Sequence, residues 1–304
     1  MTTAQESLLR VTLFTLAALI AFAANSLLCR MALAHGAIDP WNFTIIRLFS
    51  GAICLAIIMA IAQWRLKPIN KDTTLVDAAL SEKGSWLSSL SLVIYALCFS
   101  LAYVELDTGT GALILFAAVQ FTMIGWGIYK KEPLSAVQGL ALSVAFMGFI
   151  YLMLPSATAP SLFGALMMAI SGSAWGVYSI RGKTCVSPLQ ATGFNFIRSL
   201  VMLPLLLLMS IRYFAAVSLE GILLAALSGA VTSGVGYSLW YVAMPLLKNT
   251  QAAVLQLCVP ILAAIMGVLW LSEPLTLRFM IASTIILGAV WVFVRHKKTA
   301  PYAS

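Results

Sequence analysis

Two arginines stand where a lipid-embedded chain can least easily hold them. Arg47 and Arg198 each lie inside a long apolar run. An arginine at such depth costs about 2.5–3.5 kcal/mol on insertion scales unless it is paired or wet. One outcome is snorkelling to the interface or bonding to helix-end carbonyls. The other is a cation facing a water-filled cavity, able to hold a carboxylate. Aromatic residues recur at helical spacing in other runs: Tyr95, Phe99 and Tyr103; Tyr237 and Tyr241 with Trp240 beside them; Trp175 and Tyr178. The hydroxyls and indole N–H of mid-run Tyr95, Tyr237 and Trp175 need partners, which favours a cavity wall. Tyr103, at the end of its run, reads as an interfacial aromatic. Asn25, with Ser26 beside it, and the mid-run amides Gln120 and Gln256 either bond across helices or face a ligand. These types suit recognition: an apolar cage with a few polar contacts.

They do not suit bond-making. The two histidines, His35 and His296, fall in a loop and a tail, and no GxxxxGK[ST], HExxH, GxSxG or metal-ligand cluster occurs. The expectation is no catalysis, no cofactor and no metal. All ten acidic residues lie outside the apolar runs or at their edges. A carboxylate deep in the bilayer usually couples ion flow to transport. Here only edge residues are on offer, so facilitated transport stays open beside proton coupling. Glu132 and Glu273 are the candidates for gating or coupling. Their alternative role is structural: each precedes a proline at the foot of a helix, where a carboxylate meets the positive end of the helix dipole.

The elements that must position these residues are membrane helices. Of 304 residues 62% are hydrophobic and 9% charged, with a mean hydropathy of +0.99. Soluble domains average about 45–50% apolar and about 25% charged residues. The apolar runs are continuous rather than alternating, which excludes a β-barrel. Ten spans are expected, at 9–31, 41–63, 86–104, 108–129, 134–154, 160–181, 190–210, 218–243, 249–271 and 276–294. The run from Val11 to Cys29 resembles a secretory signal but matches Leu162 to Ile180 in the second half, so it reads as the first helix. The five cysteines are scattered and read as small buried hydrophobes. Pro260 is expected to kink the ninth span. Gly172 and Gly176, and Ala225, Gly229 and Ser233, form rows suited to close helix packing.

The chain repeats itself. Lys131-Glu132-Pro133-Leu134-Ser135 returns as Ser272-Glu273-Pro274-Leu275-Thr276. Phe43 to Arg47 returns as Phe194 to Arg198, and Arg30 as Arg181. Residues 1–154 and 155–304 are therefore read as two repeats of five helices. Five is odd, so the second repeat enters from the opposite side, as in inverted-repeat transporters. With both termini cytoplasmic, thirteen basic residues fall in inner loops and three in outer ones. That bias sets the orientation and also explains the net charge of +8 without nucleic acid.

Ten helices in two halves, each ending in a Glu-Pro-Leu turn before its last helix, resemble the drug/metabolite transporter superfamily, EamA type. The run Tyr237 to Ala243, then Ala252, Ala253, Pro260 and Glu273, is similar to that family's pattern. Ala102, Gly111, Ala112, Glu132 and Gly139 echo it in the first half. Val119 stands where Pro260 would align, a departure from mechanical symmetry. The resemblance implies export of small metabolites, often amino acids, by alternating access through a central cavity. It also implies an inner-membrane protein, monomeric or weakly dimeric, whose partners are a small molecule, the bilayer and, if coupled, protons. Asn25, Tyr95, Phe99, Gln120, Trp175, Tyr178, Tyr237, Trp240 and Gln256 are the expected cargo-binding residues, with Arg47 and Arg198 for a carboxylate. A drug or sugar-derived carrier, or a non-transporting sensor or scaffold, remains the alternative.

Overall fold

Helices α1 (Thr3–Ala34), α2 (Pro40–Leu66), α3 (Trp86–Tyr103), α4 (Thr108–Tyr129), α5 (Ala136–Met153) and α6 (Leu162–Gly182) follow one another through the first part of the chain. They continue with α7 (Pro188–Tyr213), α8 (Leu219–Ala243), α9 (Cys258–Leu271) and α10 (Leu277–Arg295). The structure is a computed structural model and describes residues 3–66, 82–131, 135–155, 159–182, 185–243, 247 and 255–296. Among the described residues there is no strand, and nine helices are long and apolar enough to span a bilayer. Leu140, Leu208, Leu269 and Trp270 project outward, more than half exposed, as lipid-facing side chains do. The chain is an all-α integral membrane protein.

The ninth element departs from the expected span. Its regular helix begins at Cys258 rather than 249, and residues 248–254 lie outside the described ones. Pro260 falls in the first turn of α9. Leu255 and Gln256 are also helical and Leu257 is a turn, so the helix is broken three residues before Pro260, as a proline-associated kink requires. Helices α7 and α8 are also irregular: Leu200–Met202 winds as a 3₁₀ turn inside α7. In α8, Ser228–Val235 winds as a π-helix between two α-helical stretches. Such wide turns are frequent at functional sites.

Local sequence sets the helix starts. Ser85 and Ser218 cap α3 and α8, and Ser135 and Thr276 cap α5 and α10. Each hydroxyl accepts the backbone N–H three residues on, at 3.0 to 3.2 Å. Lys131 and Ser272, which open the two Glu-Pro-Leu turns, are the two non-glycine residues with positive φ among those described, at 60° and 53°.

Helix packing shows the same duplication. Helix α3 packs on α6 and α8 on α1; α4 packs on α6 and α9 on α1; α2 packs on α8 and α7 on α3. The pairs α2–α7, α4–α9 and α5–α10 also touch. Exchanging each helix for the one five places away leaves this set unchanged. Helices α1, α3, α4, α6, α8 and α9 surround the centre of the bundle. The pair α5–α10 packs outside them. Close approaches need glycine at two contacts. A Cβ on Gly172 would sit 2.4 Å from the Leu115 carbonyl oxygen of α4, and one on Gly229 2.1 Å from the Arg47 carbonyl oxygen of α2.

Candidate transport site

A cavity of about 200 Å³ lies between α1, α3, α4, α6, α8 and α9. Asn25, Tyr95, Phe99, Gln120, Trp175, Tyr178, Tyr237, Trp240 and Gln256 all line it. Gln256 does so from a short helical piece separated from α9 by the turn at Leu257. The aromatic rings form a continuous array. Trp175 stacks at 5.1 Å on Tyr178 and at 5.2 Å on Tyr237, and meets Tyr95 at 4.9 Å. Phe22 adds an edge contact to Trp240 at 5.9 Å. Ser26 and Tyr241, noted in the sequence beside Asn25 and Tyr237, also line the cavity, as do Phe22, Met123, Ser179 and Thr232, which were not singled out. Of these, Phe22 carried a readable signal, one turn before Ser26.

Polar groups on the wall are tied into two networks. In the first, the Asn25 carbonyl oxygen accepts from Ser228 at 2.7 Å and Thr232 at 3.1 Å, both on the π-helical stretch. Its amide donates to the Tyr95 hydroxyl at 3.5 Å. Arg47 Nη2 donates to the same hydroxyl at 3.0 Å. In the second, the Tyr178 hydroxyl donates to Thr192 Oγ1 at 2.8 Å, and Thr192 and Tyr241 share a bond of 2.9 Å. A buried polar network of this kind fixes side-chain orientation when its members are satisfied.

The repeat-related arginines separate. Arg47 is 2% exposed, directly behind the Tyr95 and Phe99 rings. Arg198 does not face the cavity, contrary to one of its two expected roles. Its guanidinium donates to the Lys83 carbonyl and lies 5.6 Å over the Trp86 ring, at the start of α3. Helix α7 runs along the flank of the bundle, so this side chain reaches a loop carbonyl more easily than the centre.

The cavity lining runs from mid-bundle toward the ends of α6 and α8, through Ser179, Gly182 and Tyr241. The opposite end of the bundle is tied by Arg30. This side chain donates to the Tyr103 and Val104 carbonyls at 3.0 and 2.8 Å, where α3 ends. It also pairs with Glu273 at 3.3 Å and Asp107 at 3.7 Å. Glu273 Oε2 accepts the Thr108 backbone N–H at 2.8 Å. The carboxylate therefore caps α4, not the helix that follows its own turn, because Asp107 leaves that cap position without a side-chain bond. Burial pushes the Glu273 carboxyl above its ordinary value of 4.5, against the opposing effects of the Thr108 bond and Arg30. Tyr103 is fully buried here, donating to the Thr108 carbonyl, and is not the interfacial aromatic its position suggested. Glu132 lies outside the described residues.

Two kinds of likeness bear on this arrangement. The sequence profile of the EamA-like transporter family matches residues 162–295. An uncharacterized protein of Pseudomonas aeruginosa is 44% identical over 283 residues, covering 92% of this chain and 93% of its own. The chain belongs to the EamA-like transporter family. An uncharacterized transporter of Bacillus subtilis is 21% identical over 84% of this chain and 87% of its own. A similar one from Archaeoglobus fulgidus is 24% identical over 69% and 76%. A solved crystal structure superposes with a TM-score of 0.60 at 16% identity, covering 95% of this EamA-like chain and 99% of the other, which speaks to the fold alone.

Proposed function

We propose that this EamA-like chain is a secondary transporter that exports a small amino acid-sized metabolite, with an apolar or aromatic side chain, by alternating access. The observation that carries this reading is the aromatic cavity at the centre of the bundle, whose lining extends toward the ends of α6 and α8, away from the Arg30–Glu273 cluster. Its volume, about 200 Å³, falls below the roughly 300–1,000 Å³ of sites for drug-sized ligands. That favours an amino acid over a drug or a sugar nucleotide. The interchange of packing partners between helices five apart supports two inverted repeats, 1–154 and 155–304, rocking about the cavity. The loop charges support an inner-membrane protein with cytoplasmic termini. In that orientation Arg30 and Glu273 seal the outer side, and the cavity leads to the cytoplasm, the loading side of an exporter. Proton coupling, if present, falls to Glu273 and Glu132.

Purified protein in liposomes preloaded with unlabelled phenylalanine should accumulate labelled phenylalanine by counterflow. No accumulation above empty liposomes across an apolar and aromatic amino-acid panel would remove the substrate class.

A further inference from the structure

Arg47 is a buried cation with no described counter-ion. Its Nη2 donates to Tyr95, and its Nη1 has no hydrogen-bond partner among the described residues. The titratable groups that face it are Tyr95 from α3, Tyr237 from α8 and Cys29 from α1, none of them a carboxylate. The described ion pairs both belong to Arg30. The guanidinium carbon sits 5.1 Å from the Tyr95 ring centroid and 4.8 Å from that of Phe99. Cation–π contact compensates for lost hydration only in part. A charge withdrawn from water without an anion is costly, and removing that cost favours any ligand that brings one.

The neighbouring polar groups have the same bias. The Asn25 carbonyl oxygen is engaged by two hydroxyls of α8, and its amide points, with Arg47, at the Tyr95 oxygen. The acceptors of this corner are used up and its donors face inward. No aspartate or glutamate lines the cavity among the described residues. Tyr95 and Phe99 both belong to the cavity wall, so the charge lies one ring behind it.

We propose that the cargo carries a carboxylate, which binds at the corner formed by Arg47, Tyr95 and Asn25 while its apolar part stacks on Trp175. The carboxylate displaces the Tyr95 hydroxyl from the guanidinium and supplies the missing acceptor for Nη1. This inference rests on the reading of the cavity as the transport site and sharpens it. Anionic or zwitterionic cargo is selected, and lipophilic amines, which would add a second positive charge, are rejected.

The test is competition for labelled phenylalanine flux in liposomes carrying the full chain. The competitors are phenylalanine, 3-phenylpropionate, phenylalaninamide and phenethylamine. The two carboxylates should compete at least about tenfold better than the amide and the amine, the size expected for a charge-assisted hydrogen bond. Arg47→Lys should keep that ratio. Arg47→Gln should bring it to within about twofold of unity, because specificity is a difference of affinities. Tyr95→Phe, which keeps the ring, should weaken it and covers the case in which Arg47→Gln does not fold. Equal competition by all four compounds in the wild type would overturn the proposal and leave the transport reading intact. A carboxylate preference that survives both Arg47→Gln and Tyr95→Phe would make Arg47 a structural cation and also overturn it. Absence of flux or competition for the whole series would overturn the aromatic amino-acid reading itself, and this proposal with it.

Discussion

Arg47 and Arg198 occupy equivalent positions in two copies of one sequence pattern and have different surroundings. Arg47 is enclosed by Tyr95, Phe99 and Asn25 at the centre of the bundle. Arg198 ties the start of α3 to the flank of α7 through the Lys83 carbonyl and the Trp86 ring. The difference lies in the helix each one faces. Helix α2 packs against the π-helical stretch of α8, where Gly229 lets the two backbones approach and the wall closes over Arg47. Helix α7 packs against α3, a regular helix with no such stretch. The repeated sequence pattern thus carries two arginines, and local packing gives only the first a place behind the cavity wall.

Exchanging each arginine for methionine breaks the comparison most directly. Arg47→Met should lower phenylalanine flux by roughly ten- to a hundredfold, the equivalent of one charge-assisted hydrogen bond. Arg198→Met should leave flux within about twofold, as expected for a contact remote from cargo. Equal losses in the two variants would contradict the division of roles.

The seat of Arg47 can be tested through its packing. Gly229→Ala should destabilise by about 1–3 kcal/mol, because the added methyl meets the Arg47 carbonyl in a packed contact. Gly125→Ala, with nothing within 4 Å, should be neutral or stabilise the helix by up to about 1 kcal/mol. Thermal unfolding in detergent distinguishes the two.

Stability should order the arginines opposite to transport. Arg198→Met should cost about 1 kcal/mol through its lost carbonyl bond. Arg47→Met should be neutral or stabilising, since it removes a buried charge with no described counter-ion. A large loss of stability for Arg47→Met would identify it as a structural cation.

The smallest expected effect concerns the sealed end. Because burial raises the Glu273 carboxyl above 4.5, the folded protein binds its proton more tightly than the unfolded chain does. This group's contribution to stability is therefore full below 4.5 and is lost as pH rises through the raised value. Glu273→Gln should flatten that part of the melting-temperature profile. An unchanged profile would show that Glu273 does not titrate there.

Much of this arrangement was readable before the coordinates. Helix number, the Glu273-Pro274-Leu275 turn and nine wall residues followed from apolar length, repeated sequence and four-residue aromatic spacing; Glu132-Pro133-Leu134 lies outside the described residues. Local pattern failed where tertiary contact decided the outcome. Tyr103 was misplaced because its burial depends on the start of the next helix, where its ring packs on Gly111 and its hydroxyl reaches the Thr108 carbonyl. The partner of Glu273 was misassigned because the unsatisfied N–H at Thr108 lies 165 residues away. Nothing in the sequence separates Arg47 from Arg198, since the π-helical stretch that distinguishes their surroundings is a property of packed α8 rather than of its composition.

The central claim is that cargo occupies a cavity reached from the end opposite Arg30. Ser179 lines that cavity near its accessible end. Place a single cysteine there by Ser179→Cys, in a chain whose five native cysteines are replaced, and label it with a membrane-impermeant maleimide from either face of oriented vesicles. Labelling should proceed from the cytoplasmic face and be slowed by phenylalanine. Labelling only from the outer face, or at a rate that phenylalanine leaves unchanged, would contradict the account.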